Sequence, residues 1–328
     1  MIVITGGAGF IGSNLAAALE ERGVGDLVVC DRLGSDDKWR NLQKRELAAI
    51  VPPEALFDLL GKHANEIEAV FHLGAVSSTT ETDADLIVAS NFTLTLALWD
   101  WCAATETRLL YASSAATYGD GSAGFEDGAD PEALARLRPL NAYGWTKHLV
   151  DLRIARLVAR NAKRPPQWAG FKFFNVYGPN EYHKGAMKSV AAQIYPRAAK
   201  GEPCRLFRSY RPDYPDGGQL RDFVHVDDCV AMMLFLYDHP EASGLFNVGS
   251  GKARSFADLA AAVYRALGRE PRIEFIDMPE EIRARYQYRT EARMDQLRRL
   301  GYGRAPLALE DGVQRYVATY LATADPYR

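Results

Sequence analysis

Eight residues near the start of the chain constrain its fold more than any other feature. Thr5-Gly6-Gly7-Ala8-Gly9-Phe10-Ile11-Gly12 follows the β-branched run Ile2-Val3-Ile4 and precedes an apolar-periodic stretch from Asn14 to Arg22. Glycines at a strand-to-helix junction let the backbone turn tightly and approach a pyrophosphate seated at the helix N-terminus. The bare spacing is weak evidence, but between a strand and a helix it marks the first turn of a dinucleotide-binding βαβ unit. Gly6, Gly9 and Gly12 are its expected contacts.

The rest of the first half keeps the same rhythm. Leu27 to Asp31, Ala69 to Leu73, Arg108 to Ser113 and Phe171 to Asn175 read as strands, and a long helix is expected from Gly144 to about Arg160. Short strands separated by helical stretches predict parallel βαβ units, hence an α/β protein with a doubly wound, Rossmann-type parallel sheet. After Asn175 the pattern gives way to Gly/Pro/Tyr/Arg-rich loops, Tyr177 to Gly185 and Arg208 to Arg221, followed by a helix-like Asp222 to Tyr237 and a strand-like Gly244 to Val248. The remainder, Phe256 to Gly268 and Arg272 to Tyr320, reads as rich in helix. The expected organisation is a Rossmann domain of residues 1–173 and 224–250, and a smaller substrate-binding lobe of residues 174–223 and 251–328.

Asp31 closes the second strand 19 residues after Gly12. That is where a carboxylate accepts a hydrogen bond from an adenosine ribose hydroxyl, an arrangement that favours NAD. Arg32 beside it and Lys38 on the following loop are cations suited to a 2′-phosphate. NADP is therefore the expected cofactor, with NAD as the alternative.

Tyr143-Gly144-Trp145-Thr146-Lys147 places a tyrosine and a lysine four residues apart, on one helical face. A free phenol, with a pKa of about 10, is a poor base at neutral pH, and a neighbouring ammonium stabilises its anion. Tyr143 can then take a hydroxyl proton as hydride leaves the adjacent carbon, while Lys147 also holds the nicotinamide ribose. Ser114 ends the fourth strand, on the edge that faces the ligand crevice in open α/β sheets, and is assigned to the reacting oxygen.

The formal charge of -3 supplies no overall basic field for nucleic acid or an anionic membrane surface. No apolar run in the sequence approaches the roughly 18 residues of a membrane span. Cys30, Cys102, Cys204 and Cys229 are scattered without metal-ligand spacing, so buried or idle thiols in a reducing cytoplasm are expected, and no metal.

Glycine turn, strand-end serine and YxxxK together resemble the extended short-chain dehydrogenases and epimerases over essentially the whole chain. The match sharpens to the ADP-glycero-manno-heptose 6-epimerases through Asp31-Arg32-Leu33, Asn41-Leu42, His72 to Glu81 with its Ser-Ser-Thr-Thr-Glu, and Tyr111 to Gly119. Pro139 to Gly144, Phe174 to Pro179, His183-Lys184-Gly185 and Arg285-Tyr286-Gln287 extend it. The resemblance implies tightly held NADP, transient oxidation of the heptose at C6″, and return of hydride to the opposite face. It also implies two bases, Tyr143 and Lys184, because the hydroxyl lies differently in the two epimers. Implied cofactor contacts are Phe10, Ile11, Leu73, Gly74, Ala75, Ser77, Val176 and Lys184. Ser114, Asn175, Lys184, Arg221 and Tyr286 are implied substrate contacts, with Arg208 and Arg211 nearby. It further implies a cytoplasmic homo-oligomer supplying lipopolysaccharide core heptose.

Some positions depart from that pattern. Leu73 stands where glutamate is usual, Ala186 and Gln193 stand where serine and histidine are expected, and the Tyr210 to Leu220 loop is longer. Ser114 is followed by Ala115-Ala116 rather than the Asp-Glu pair of the 4,6-dehydratases, which disfavours elimination. A UDP-hexose 4-epimerase is the nearest enzymatic alternative. A non-catalytic NADP-sensing scaffold is the alternative of a different class.

Overall fold

A computed structural model of the chain describes residues 1–283 and 286–328. Arg285, part of one of the matching motifs, lies outside the described residues.

Strands β1 (Ile2–Thr5), β2 (Leu27–Cys30), β3 (Ala49–Val51), β4 (Ala69–His72), β5 (Arg108–Ser114) and β6 (Trp168–Phe173) come from the first half of the chain. β7 (Asn175–Tyr177), β8 (Cys204–Phe207), β9 (Leu220–His225), β10 (Gly244–Val248), β11 (Ala253–Ser255) and β12 (Ile273–Ile276) come from the second. Among the described residues, seven of these form one sheet in the order β10-β6-β5-β4-β1-β2-β3, with each neighbouring pair parallel. This is the doubly wound sheet read from the sequence. Strand order reverses at β1, whose neighbours are β2 and β4, and the crevice for a dinucleotide opens at such a point. β1, β2 and β4 are buried at every residue, as strands covered on both faces by helices must be.

The structure departs from the sequence reading in four places. β3 was not expected: it is three residues long and lies at the sheet edge, partly exposed, so it carries no apolar run to betray it. The run Phe171 to Asn175 is broken. β6 stops at Phe173, Phe174 turns its amide to the Val248 carbonyl at 3.0 Å, and β7 leaves for a second sheet, β11-β9-β7. Asp222 to Tyr237 is not one helix, because β9 runs to His225 and the helix Val226–Asp238 starts after it. Finally, residues 272–320 hold β12, paired with β8, and much irregular chain before the helix Leu309–Tyr316.

The helical stretch Ala84–Thr105 is long and apolar enough, by length and composition, to cross a membrane, against the expectation that no segment would be. It lies beside the sheet, with Leu98, Trp99 and Cys102 sealed into the main core, where Trp99 meets Trp168 of β6 edge-on. Packing against other helices and strands thus covers part of its apolar surface, while Leu86 stays exposed.

A second apolar cluster includes Tyr177, Ile194, Leu206, Val263, Val313 and Tyr316. All four cysteines are buried free thiols.

Candidate active site

The glycine turn works by close approach. Gly6 has φ +67°, and a Cβ there would stand 2.5 Å from the Gly74 nitrogen; a Cβ on Gly12 would stand 2.2 Å from the Gly6 carbonyl oxygen. Only hydrogen fits at either position. The helix Phe10–Glu21 then begins with no side chain capping its first turn, which leaves its amides turned toward the crevice. An uncapped helix start behind a cradle that any side chain would fill suits a pyrophosphate.

A cavity of about 660 Å³ extends from this turn across the carboxyl ends of β1, β4 and β5. Gly6, Gly9, Phe10, Ile11, Gly12, Asp31, Lys38, Leu73, Gly74, Ala75 and Ser77 line its dinucleotide side. Ser114, Tyr143, Lys147, Asn175, Val176 and Lys184 line the remainder. Five residues named from sequence do not line it: Arg32, Arg208, Arg211, Arg221 and Tyr286. Arg32 turns outward to pair with Glu54, with 69% of its side chain exposed. Arg221 lies buried behind the wall, its guanidinium 5.5 Å from the ring of Phe256, which does line the cavity, and 5.2 Å from the ring of Tyr286.

At the adenosine end the Asp31 carboxylate accepts from the Ala8 amide at 3.0 Å and from Lys38 Nζ at 2.7 Å. Lys38 also donates to the Arg32 carbonyl at 2.9 Å, so one cation of the expected pair faces the cavity and the other does not.

At the reacting end the helix Ala142–Ala159 is started by Asn141, whose side chain accepts from the Gly144 amide at 2.8 Å. This cap fixes the first turn, which carries Tyr143, and Lys147 follows one turn later. Lys147 Nζ donates to the Ala112 carbonyl of β5 at 2.8 Å, and burial pulls its ammonium down to about 8. Burial pushes the Tyr143 phenol above its ordinary value, with the Ser114 hydroxyl drawing it down and Asp151 adding to the rise. Lys147, expected from sequence to acidify the phenol, is not among the groups that lower it in this structure. Ser114 also accepts from the Ala116 amide at 3.1 Å, so it caps a turn while lining the cavity.

Lys184 sits in the turn Tyr182–Met187, its Nζ 5.5 Å from the Phe10 ring centre, and burial lowers its pKa while Glu181 raises it. The buried Glu181 carboxylate anchors that turn, accepting from both the amide and hydroxyl of Ser189 and from the Tyr316 hydroxyl at 3.0 Å. Gln193 donates to the carbonyls of Ala186 and Lys188, bracing the same loop.

Several supporting residues were not picked out from sequence. Asn91 exchanges hydrogen bonds with the amide and carbonyl of Val76, at 2.9 and 3.0 Å, and so holds the loop after β4. Asp151 and Lys172 pair at 3.0 Å, wholly buried, beneath Ser113. A lysine between the phenylalanines of Phe171-Lys172-Phe173 was a legible sign, since a charge in a central strand needs a partner.

Residues 2–249 match the model of the NAD dependent epimerase/dehydratase family. An ADP-L-glycero-D-manno-heptose-6-epimerase of Nitratidesulfovibrio vulgaris (strain DP4) is 49% identical over 329 residues, covering all of both chains. One from Fusobacterium nucleatum is 45% identical over 335 residues, again covering all of both. The chain belongs to the ADP-L-glycero-D-manno-heptose-6-epimerase family. Among solved structures, the Helicobacter pylori ADP-L-glycero-D-manno-heptose-6-epimerase superposes with a TM-score of 0.77 at 28% identity, covering 97% of this chain and 95% of that one. Membership makes this epimerase an isomerase of the NAD-dependent class, and the residues around the glycine turn fit such a cofactor.

Proposed function

We propose that this epimerase inverts C6″ of ADP-D-glycero-β-D-manno-heptose to the L-glycero form, using NADP held on the first loop of the sheet. One observation carries the reading: two side chains able to move a proton, Tyr143 and Lys184, come from different elements and line one cavity together with the glycine turn. When bound beside the glycine turn, the nicotinamide would supply the hydride chemistry at C6″. Because C6″ is bonded to two carbons, the oxidised substrate is a ketone, and its planar centre can be reduced from either face.

The chain's own residues do the rest. Tyr143 exchanges a proton with the hydroxyl of one epimer, with Ser114 hydrogen-bonded to the same oxygen. Lys184 serves the other epimer; burial lowers its affinity for a proton, which suits an amine that must both give and take one. Lys147 holds the nicotinamide ribose. Asn175 lines the cavity, while Arg221, its guanidinium between the rings of Phe256 and Tyr286, is the residue we assign to the diphosphate. We divide the chain into residues 1–173 with 224–250 and 174–223 with 251–328; the second apolar cluster supports this, while Phe174, Ala292, Met294 and Leu297 pack into the main one across the proposed boundary. Leu86 and Trp145, exposed on neighbouring helical segments, are the surface on which we place assembly with further copies of the chain.

Turnover of ADP-D-glycero-β-D-manno-heptose by the purified protein, compared with UDP-galactose, tests the reading. Epimerisation of UDP-galactose alone would replace it with the 4-epimerase alternative. Lys184→Met should lower kcat on the heptose substrate by about 10²-fold or more while bound cofactor, read by absorbance after release, stays stoichiometric. A loss confined to cofactor would show that Lys184 is not a base.

Lys38, rather than Arg32, is the cation we assign to the 2′-phosphate. Lys38→Ala should weaken NADPH binding by about tenfold, one lost charge-assisted hydrogen bond, and leave NADH binding within about twofold. Fluorescence titration with the two reduced cofactors measures this, and an equal loss for both would remove the assignment.

A further inference from the structure

Lys38 and Lys184 belong to segments far apart in sequence, yet a chain of buried amides joins them. Lys38 lies in the turn Asp37–Leu42, and Asn41 of the same turn is 1% exposed. Its side-chain nitrogen is 2.8 Å from the Ala8 carbonyl of the glycine turn, 3.1 Å from the Asn180 carbonyl and 3.2 Å from His183 Nδ1. His183 precedes Lys184 and lines the same cavity. Two more buried asparagines repeat the stitch. Asn14 Nδ2 donates to the Pro179 carbonyl at 3.0 Å, and Asn180 Nδ2 donates to the Ser13 hydroxyl at 3.0 Å. Asn180 itself sits at φ +72°, in the left-handed region that asparagine tolerates better than most residues.

The direction of the central hydrogen bond follows from the charges. Burial, then Lys38, then Lys184 pull the His183 imidazole down to about 4, so it is neutral at pH 7. A neutral ring has one acceptor nitrogen, and Nδ1 is the one that faces the Asn41 amide, whose two N–H groups are shared among three acceptors with the His183 contact the longest at 3.2 Å. The same two lysines that depress His183 are those at the two ends of the proposed site. His183 thus lies between them, held from one side by Asn41.

We propose that Asn41 and His183 are positioning residues that carry the state of the Asp37–Leu42 turn, where Lys38 meets the adenosine end of the cofactor, to the amine of Lys184. This rests on the reading of Lys38 as the phosphate contact and Lys184 as the second base. In consequence, engagement of the adenosine end changes the setting of an amine that acts at the other end of the cavity. A largely buried side-chain network transmits such changes where its hydrogen bonds leave few alternative arrangements.

The test substitutes His183, because replacing Asn41 would also strip the Ala8 and Asn180 carbonyls of their donor and could unfold the turn. His183→Leu removes the acceptor; His183→Asn restores an acceptor oxygen near the Nδ1 position. His183→Leu should lower kcat by about tenfold with KM and NADPH affinity changed less than about threefold, and His183→Asn should regain most of the rate. The second readout is the Cε resonance of Lys184 in protein labelled with ¹³C-lysine, identified by its loss in Lys184→Met. In the unsubstituted protein, and in His183→Asn, that resonance should move when adenosine 2′,5′-bisphosphate, which fills only the adenosine end and cannot touch Lys184, is added. In His183→Leu it should stay where it is while adenosine 2′,5′-bisphosphate still binds. A resonance that moves equally in His183→Leu, or a His183→Leu variant with unaltered kcat, overturns the inference. An active Lys184→Met variant would instead bring down the two-base reading beneath it, so the two failures are separable.

Discussion

Tyr143→Phe is expected to lower kcat by about 10²- to 10⁴-fold, the usual contribution of a positioned proton-transfer group, with cofactor still bound at one per chain. The substitution removes one oxygen and leaves the ring packed at the start of the helix Ala142–Ala159, so the fold and the cavity should persist. The structure shows why the whole arrangement is needed. Burial makes the phenol hold its proton, and only the Ser114 hydroxyl draws its pKa down among the surrounding protein groups. Lys147, the obvious cation, is hydrogen-bonded to the Ala112 carbonyl. A bound nicotinamide cation would add positive charge beside the phenol, and Tyr143, Ser114 and Lys147 line the cavity that would hold it. Turnover of the heptose nucleotide and the absorbance of released cofactor are the two measurements. A fall of less than about tenfold would move the base elsewhere.

The second large effect concerns stability. Lys172→Met should destabilise the protein by about 3–5 kcal/mol, the usual result of breaking a buried ion pair from one side. Asp151 would keep the Ser113 hydroxyl at 2.7 Å and the Tyr111 hydroxyl at 3.2 Å but lose its only partner of opposite charge within the pair. Lys172 also donates to Thr117 at 2.7 Å, and Thr117 bonds the Ser114 carbonyl at 2.8 Å, so the damage reaches the end of β5. Replacing both partners, Asp151→Leu with Lys172→Met, should recover much of the loss, because an apolar pair pays no desolvation penalty for a stranded charge. Urea unfolding of the three proteins decides it. If the double variant were less stable than the single one, the pair would be holding the sheet by more than mutual neutralisation.

The sequence alone determined the parts that depend on local chemistry. A glycine turn between a strand and a helix can do little but approach a phosphate. Five buried strands separated by helices can do little but form a parallel sheet. A YxxxK places its two side chains on one face by helical geometry. The motif resemblance added Lys184, which no spacing rule would have selected from a loop.

The tertiary structure decided what depends on partners distant in the chain. Arg32 and Lys38 are equally good cations on paper, but Glu54 draws one outward and Asp31 holds the other at the cavity. Lys147 and Tyr143 share a face, yet a carbonyl from β5 takes the ammonium. Asn41, Asn91 and Glu181 are ordinary polar residues until folding buries them, and burial is what obliges each to find its hydrogen-bond partners. Periodicity records which face of an element is covered; it does not record which distant donor meets which acceptor, because that is fixed only when the lobes close on one another.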